Sequence, residues 1–349
     1  MTAVSTTVLS SSLRAIVGQT QERILVAEKE VASGRRADLG LWLGGGVREA
    51  VSLRRDLAEL NRLRDTNAAA TVRLEGTQAA LQAELKTAQS FTETLLTARD
   101  NPQSRDLVAA MARDHLASLI ANANTTSGGA YFFGGVNSGE APLADYFSDP
   151  ASAARSSVEA AFLAEFGFSF ASAAAYDIPA PAMETFLAGP FAALFDAPGW
   201  SADWSRASDE PLRIRISESE TAEIGVTANA DGFRKLASAY AALTEFGAGA
   251  VNDQAFRAVI DAALSAIGEG VADLSGAAAK LGAVEERVSV SSERLERRIT
   301  LLSARSDDLE GVDPYEASTR LTALQTQLET AYALTARLQG LSLLNYLQP

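Results

Sequence analysis

Residues 314–347, PYEASTRLTALQTQLETAYALTARLQGLSLLNYL, carry leucine at 321, 324, 328, 334, 338, 341, 343, 344 and 347. Spacings of three and four set most of these side chains along one face of a helix, and the stripe runs almost to the last residue. Asp313 precedes Pro314, placing an N-cap acceptor before a proline at the first helical position, so the helix is expected to start there. Leu343 and Leu347 flank Leu341 and Leu344 and widen the apolar face beyond what one partner helix covers. Chain ends are ordinarily frayed and polar. An apolar stripe at an end therefore points to packing against further helices, either in a self-contained bundle or in neighbouring copies.

The opposite end has the matching pattern. Leu13, Val17, Thr20, Ile24, Ala27 and Val31 recur at spacings of three and four, and Ser33-Gly34 supplies the stop. A second helix is expected after Gly44-Gly45-Gly46, with Leu53, Leu57, Leu60, Leu74, Leu81, Leu85 and Leu95 on its seam until Asn101-Pro102 interrupts it. A third is expected over 103–124. Toward the C-terminus, Val284, Val288, Leu295, Ile299, Leu302 and Leu309 form a seam with Glu and Arg on the other faces, broken by Gly311.

Between these blocks the texture changes. Glycine, proline and aromatic residues are frequent from Ser127 to about Gly247, and helical periodicity lapses. The alternations 212–216 and 223–227 read as two strands of a hairpin. Residues 145–210 are rich in alanine and carry no decisive period. The fold class is therefore mainly α: long helices from both termini forming a coiled coil and bundle, with a mixed α+β domain inserted centrally.

Composition narrows the function classes. The chain has 349 residues, 47% hydrophobic and 21% charged, enough for packed domains and too apolar for disorder. It has no cysteine, which removes disulfides, thiolate metal sites and cysteine nucleophiles. Within 140–270 there are seven Lys or Arg against nineteen Asp or Glu, so nearly all of the net charge of -14 sits in the middle and the ends are close to neutral. An acidic middle opposes nucleic acid, whose binding needs phosphates neutralised. No run approaches the ~20 apolar residues of a membrane span, and no secretory signal pattern opens the chain.

The closing segment, from Glu316-Ala317-Ser318-Thr319-Arg320-Leu321 through Leu324-Gln325-Thr326-Gln327-Leu328-Glu329 to Leu341-Ser342-Leu343-Leu344-Asn345-Tyr346-Leu347, resembles the C-terminal signature shared by flagellins and hook-associated proteins. The first helix with its Ser33-Gly34-Arg35-Arg36 end resembles the first helix of the same family. Tyr131-Phe132-Phe133-Gly134-Gly135-Val136-Asn137, followed by Pro142-Leu143, is similar to the aromatic-glycine turn of the family's hook-filament junction members, and residues 224–236 are similar to their passage back into helix. Residues 37–46, ADLGLWLGGG, depart from the family's Asp-Asp-Pro stretch.

The resemblance implies a nested subunit: a terminal coiled coil from 1–40 and 312–349, a bundle from 41–130 and 251–311, and an outer domain over 131–250. It implies self-assembly without catalysis, cofactor or metal. The assembly contacts would fall on Leu13, Val17, Ile24, Val31, Leu321, Leu324, Leu328, Leu334, Leu338, Leu341, Leu344 and Leu347. It implies as partners further copies of the chain, another hook-associated protein on the hook side, flagellin on the filament side and an export chaperone. It also implies an extracellular place in the flagellum, reached without a cleaved signal. Two other readings stand beside the junction subunit: flagellin itself, and a ligand-binding module or enzyme housed in 140–250.

Candidate chemistry is sparse. His115 neighbours Asp114, but adjacent helical residues point about 100° apart, so a solvated or capping histidine is expected. Gly44-Gly45-Gly46 lacks the Lys-Ser or Lys-Thr of a phosphate loop and reads as a helix connection. Asp307, Asp308, Glu310 and Asp313 do not have the spacing of a calcium loop and read as a solvated helix end. Trp200 and Trp204 are expected to anchor the core of the insertion.

Overall fold

The computed structural model describes residues 6–247 and 251–347, with side chains at 11–101, 103–247 and 251–337. Helix α1 spans Thr6–Ser33, the short α2 spans Leu39–Leu43, α3 spans Val47–Ala98 and α4 spans Arg105–Ala123. Two-residue strands β1 (Thr126–Ser127) and β2 (Ala130–Tyr131) follow, then α5 (Ala153–Phe166), α6 (Ala180–Phe186), β3 (Arg213–Arg215), β4 (Thr221–Glu223), α7 (Asp231–Phe246), α8 (Asp253–Glu310) and α9 (Pro314–Leu347). The chain is mainly helical, with a small mixed central region. It divides into two compact units, one made of residues 1–62 and 295–349, the other of 63–294, and α3 and α8 contribute to both.

In the terminal unit α1 packs along α9. Gly34 ends α1 with φ +66°, a conformation only glycine adopts cheaply, and its N–H returns to the Glu30 carbonyl. Asp313 caps α9, accepting the Tyr315 N–H at 2.8 Å. The turns at the ends of α1 and α8 are tied by an antiparallel bridge, in which Arg36 N–H donates to the Glu310 carbonyl at 2.8 Å and Val312 N–H to the Gly34 carbonyl at 3.0 Å. The glycine triplet forms a 3-10 turn that leads directly into α3.

The second unit has a continuous core. Leu74, Leu81, Phe91 and Leu95 of α3 meet Val108, Leu116 and Leu119 of α4, Leu236, Tyr240 and Leu243 of α7, and Ile260, Ile267 and Leu274 of α8. Much of the alanine-rich stretch is helical, in α5, α6 and short 3-10 and π turns, and phenylalanines organise it. Phe162 stacks on Phe246 at 5.3 Å and meets the edge of Phe186 at 5.5 Å. Trp200 and Trp204 stack at 5.3 Å, with Tyr146 beyond Trp204 at 5.0 Å, all within the core.

One strand assignment is corrected. The hairpin pairs Arg213 with Glu223 and Arg215 with Thr221, so its second strand is Thr221–Glu223, where alternation had suggested 223–227. The turn closes at Ile216 and Glu220, and after Ile224 bonds Leu212 the backbone leaves the ladder, Ala228 N–H donating to Phe133. Polar Thr221 and Glu223 lie on the exposed face of a hairpin too short for apolar alternation to announce it.

Candidate assembly interface

The contact between α1 and α9 is narrower than the leucine stripe. Thr20, Ile24, Ala27 and Glu30 are buried on α1, and Ala317 and Ala331 on α9. Small residues at 27, 317 and 331 let two long helices approach closely. Leu13, Val17, Leu321, Leu324 and Leu328 are half-buried, while Val31 is 38% and Leu334 49% exposed. The side chains of Leu338, Leu341, Leu344 and Leu347 lie outside the described residues, although the α9 backbone continues through them.

At the last turn of the seam the buried position falls to Glu30, three residues after Ala27, and not to Val31, four after it. The Glu30 carboxylate accepts from Arg320 of α9 at 3.1 Å and from the Ala37 N–H at 3.2 Å. A buried carboxylate with these two partners closes the seam with a specific polar lock, and Val31 is rotated outward. Ile16, Leu25, Val26, Val31, Tyr332 and Leu334 are exposed in the terminal unit, all but Tyr332 aliphatic. Single exposed apolar residues are ordinary, and with about 3.6 residues per turn Ile16, Leu25, Val26 and Val31 point to different sides of α1, so the helix pair offers apolar side chains in several directions.

The acidic group at 307–313 is also different from a solvated helix end. Glu310 has a fully buried side chain, held by Arg54 at 2.5 Å and Arg35 at 3.3 Å. Asp313 is used as the α9 cap, and Asp307 lies 3.8 Å from Arg35. Among the described residues no group of three or more His, Asp or Glu is arranged to hold a metal ion. Sequence reading missed Glu310 because its partners stand about 250 positions away, and nothing local announces them.

His115 is half-buried against aromatic side chains, where a solvated or capping histidine was expected. Its ring packs against Phe91 at 4.5 Å and faces Tyr240 at 5.8 Å, and burial lowers its pKa. Beside it, Glu84 of α3 is buried among Asn122, which donates at 3.2 Å, and Tyr240, which donates at 3.3 Å. This buried polar group sits inside a helical core and fixes the register of α3, α4 and α7. No helix among the described residues is long and apolar enough to cross a membrane.

Two chain ends that pair as long helices and expose aliphatic side chains, with a separately compact unit between them in the sequence, define a mainly helical chain with paired ends. The description "Bacterial flagellin N-terminal helical region" matches residues 4–138, and "Bacterial flagellin C-terminal helical region" matches 264–347, together well over half of the chain. The chain belongs to the flagellin family, and its role is that of a structural component of the bacterial flagellum. A solved structure described as a flagellar hook-associated protein from Vibrio parahaemolyticus is similar in fold, with a TM-score of 0.50 and 12% identity, covering 74% of this chain and 95% of that one. Comparison with curated proteins gives no match.

Proposed function

We propose that this chain forms the junction between hook and filament, assembling with copies of itself through the α1–α9 pair and meeting a hook-associated protein on one side and flagellin on the other. The observation that supports the junction reading is the aromatic-glycine turn after α4. Phe133 is fully buried, and Gly135, at φ +62°, packs so closely on the Ser208 and Glu210 carbonyls that no side chain fits. This turn is the feature in which the sequence resembles junction members, and it is a built element of the second unit. The hook-associated description of the Vibrio structure agrees with the same reading. In this role the chain is exported with the help of a chaperone, and Ile24, Leu13, Val17, Val31 and the α9 leucines supply contacts within and between subunits.

A deletion strain tests it. Loss of the junction subunit leaves flagellin synthesised and exported, so unpolymerised flagellin is expected in the medium and hooks without filaments on the cells. Disappearance of the filament protein itself would identify the chain as flagellin and overturn the junction reading.

A further inference from the structure

The segment in which the sequence departs from its family is also the most exposed apolar point of the terminal unit. In α2, Leu41 is 88% and Trp42 56% exposed. The turn is nevertheless well formed. Asp38 caps it by accepting the Leu41 N–H at 2.9 Å, and the Arg36 guanidinium lies 4.0 Å over the Trp42 ring. The Nε of Arg36 is buried and has no hydrogen-bond partner. A tryptophan already fixed by a stacked arginine loses little rotamer freedom on binding, and tryptophan and arginine are the residues on which interface energy concentrates.

The same unit carries a groove that fits such a knob. It measures about 580 Å³ and is floored by Val26, Ala27 and Leu324, between Glu22, Arg23, Glu30 and Arg320. Glu30 and Arg320 are spent on each other. Glu22 and Arg23 make no ion pair or hydrogen bond among the described residues. An indole entering over Val26 needs an acceptor for its N–H and favours a cation on its face. Glu22 and Arg23 supply both, and Glu22 also offers a carboxylate to the amino groups of the Arg36 guanidinium, the buried Nε being out of reach of a second copy. Val26 is itself 45% exposed in this groove.

We infer that the Leu41-Trp42 knob of one copy seats in the Val26-Ala27-Leu324 groove of a second copy of this chain. Knob and groove are different surfaces of the same unit, so the contact is head-to-tail and repeats without closing unless the rotation between copies closes it. That is the symmetry a helical or ring-shaped layer requires. The inference rests on the self-assembly proposed above and adds to it a specific contact made by Leu41 and Trp42 of α2.

The absence of cysteine gives a clean test. Single variants Trp42→Cys and Val26→Cys, one of them mass-labelled, are mixed in equal amounts with an excess of wild-type chain, at a concentration well over tenfold above that at which the wild-type chain assembles and at which the mixture is seen to assemble, then oxidised briefly. A disulfide joining the two different variants is expected, with at least tenfold less product when Leu163→Cys, exposed in the other unit, replaces Trp42→Cys. Trp42→Ala is expected to raise the concentration needed for assembly about tenfold, and Trp42→Phe less. Wild-type assembly with no Trp42→Cys to Val26→Cys product above the Leu163→Cys level overturns this contact and leaves self-assembly standing. A wild-type chain that stays monomeric at every concentration overturns both.

Discussion

The Arg54 guanidinium of α3 reaches the Glu310 carboxylate at the end of α8 at 2.5 Å, and Arg35, just past α1, shares the same oxygen at 3.3 Å. Three helices of the terminal unit thus converge on one buried negative charge, at the point where the backbone bridge from Gly34 to Val312 holds the chain ends together. A buried carboxylate that loses all its partners costs far more than a pair is worth. Arg54→Ala or Arg35→Ala alone should therefore cost about 1 to 3 kcal/mol, because the remaining arginine still answers the charge. The double variant should cost more than the sum of the two. Chemical denaturation of the four proteins in a double-mutant cycle checks this, and simple additivity would show that neither arginine compensates for loss of the other at Glu310.

Glu84 gives the second unit a pH dependence. Burial raises its carboxyl from the usual 4.5 to about 7, against the opposing hydrogen bonds from Asn122 and Tyr240. Between those values the unfolded chain has released the proton and the folded one retains it. The folded state then binds more protons, so stability falls as pH rises through this window and the loss is complete above about 7. The group's contribution is on the order of 3 kcal/mol across the window. His115 acts in the opposite sense, since its lowered pKa favours the folded state as pH rises. Measuring Glu84→Gln against wild type isolates the carboxyl: the variant should gain stability relative to wild type between pH 4.5 and 8, and a constant difference would refute the assignment.

How far these features could be read in advance depended on where their partners lie. Helices α1, α3, α8 and α9 were legible because Leu53, Leu74, Leu295 and their companions repeat locally, and because Asp313 and Gly34 mark ends by their own chemistry. The 145–210 segment was not legible, since its helices are fixed by Phe162, Phe186 and Phe246 meeting across 84 positions, a relationship no local period encodes. At the assembly face the stripe was visible, but the choice of Glu30 over Val31 for the buried place depends on Arg320, some 290 residues away. Charged residues in particular were misread as solvated when their counter-ions were distant.

The aromatic-glycine turn makes a comparison of two glycines possible. At Gly135, with φ +62°, a Cβ would sit 2.6 Å from the Glu210 carbonyl oxygen and 2.8 Å from that of Ser208. At Gly128, φ is +58° and a Cβ would meet open space. Both alanine variants carry left-handed strain of roughly 1 to 2 kcal/mol, but only Gly135→Ala must also push two carbonyls aside. Its cost should exceed that of Gly128→Ala by about 1 to 3 kcal/mol in thermal or denaturant unfolding. Equal costs would mean that the turn yields freely and that the close approach of Gly135 to the two carbonyls carries no constraint.

Removing residues 321–349 separates the two units' fates. The second unit draws its core from residues 63–294 and keeps every partner named for it above. The truncated chain loses Leu324 from the groove and the α9 side of the seam, including Ala331, while Ile24 and Ala27 of α1 lose their cover. Far-ultraviolet circular dichroism should fall by no more than the helix removed together with α1, which has no partner left to order it. The near-ultraviolet signal of the stacked Trp200 and Trp204 should persist. Assembly, followed by light scattering or sedimentation, should vanish. Retained polymerisation would place the contacts between copies elsewhere than on α1 and α9, and loss of the tryptophan signal would show that the second unit depends on the terminal helices to fold.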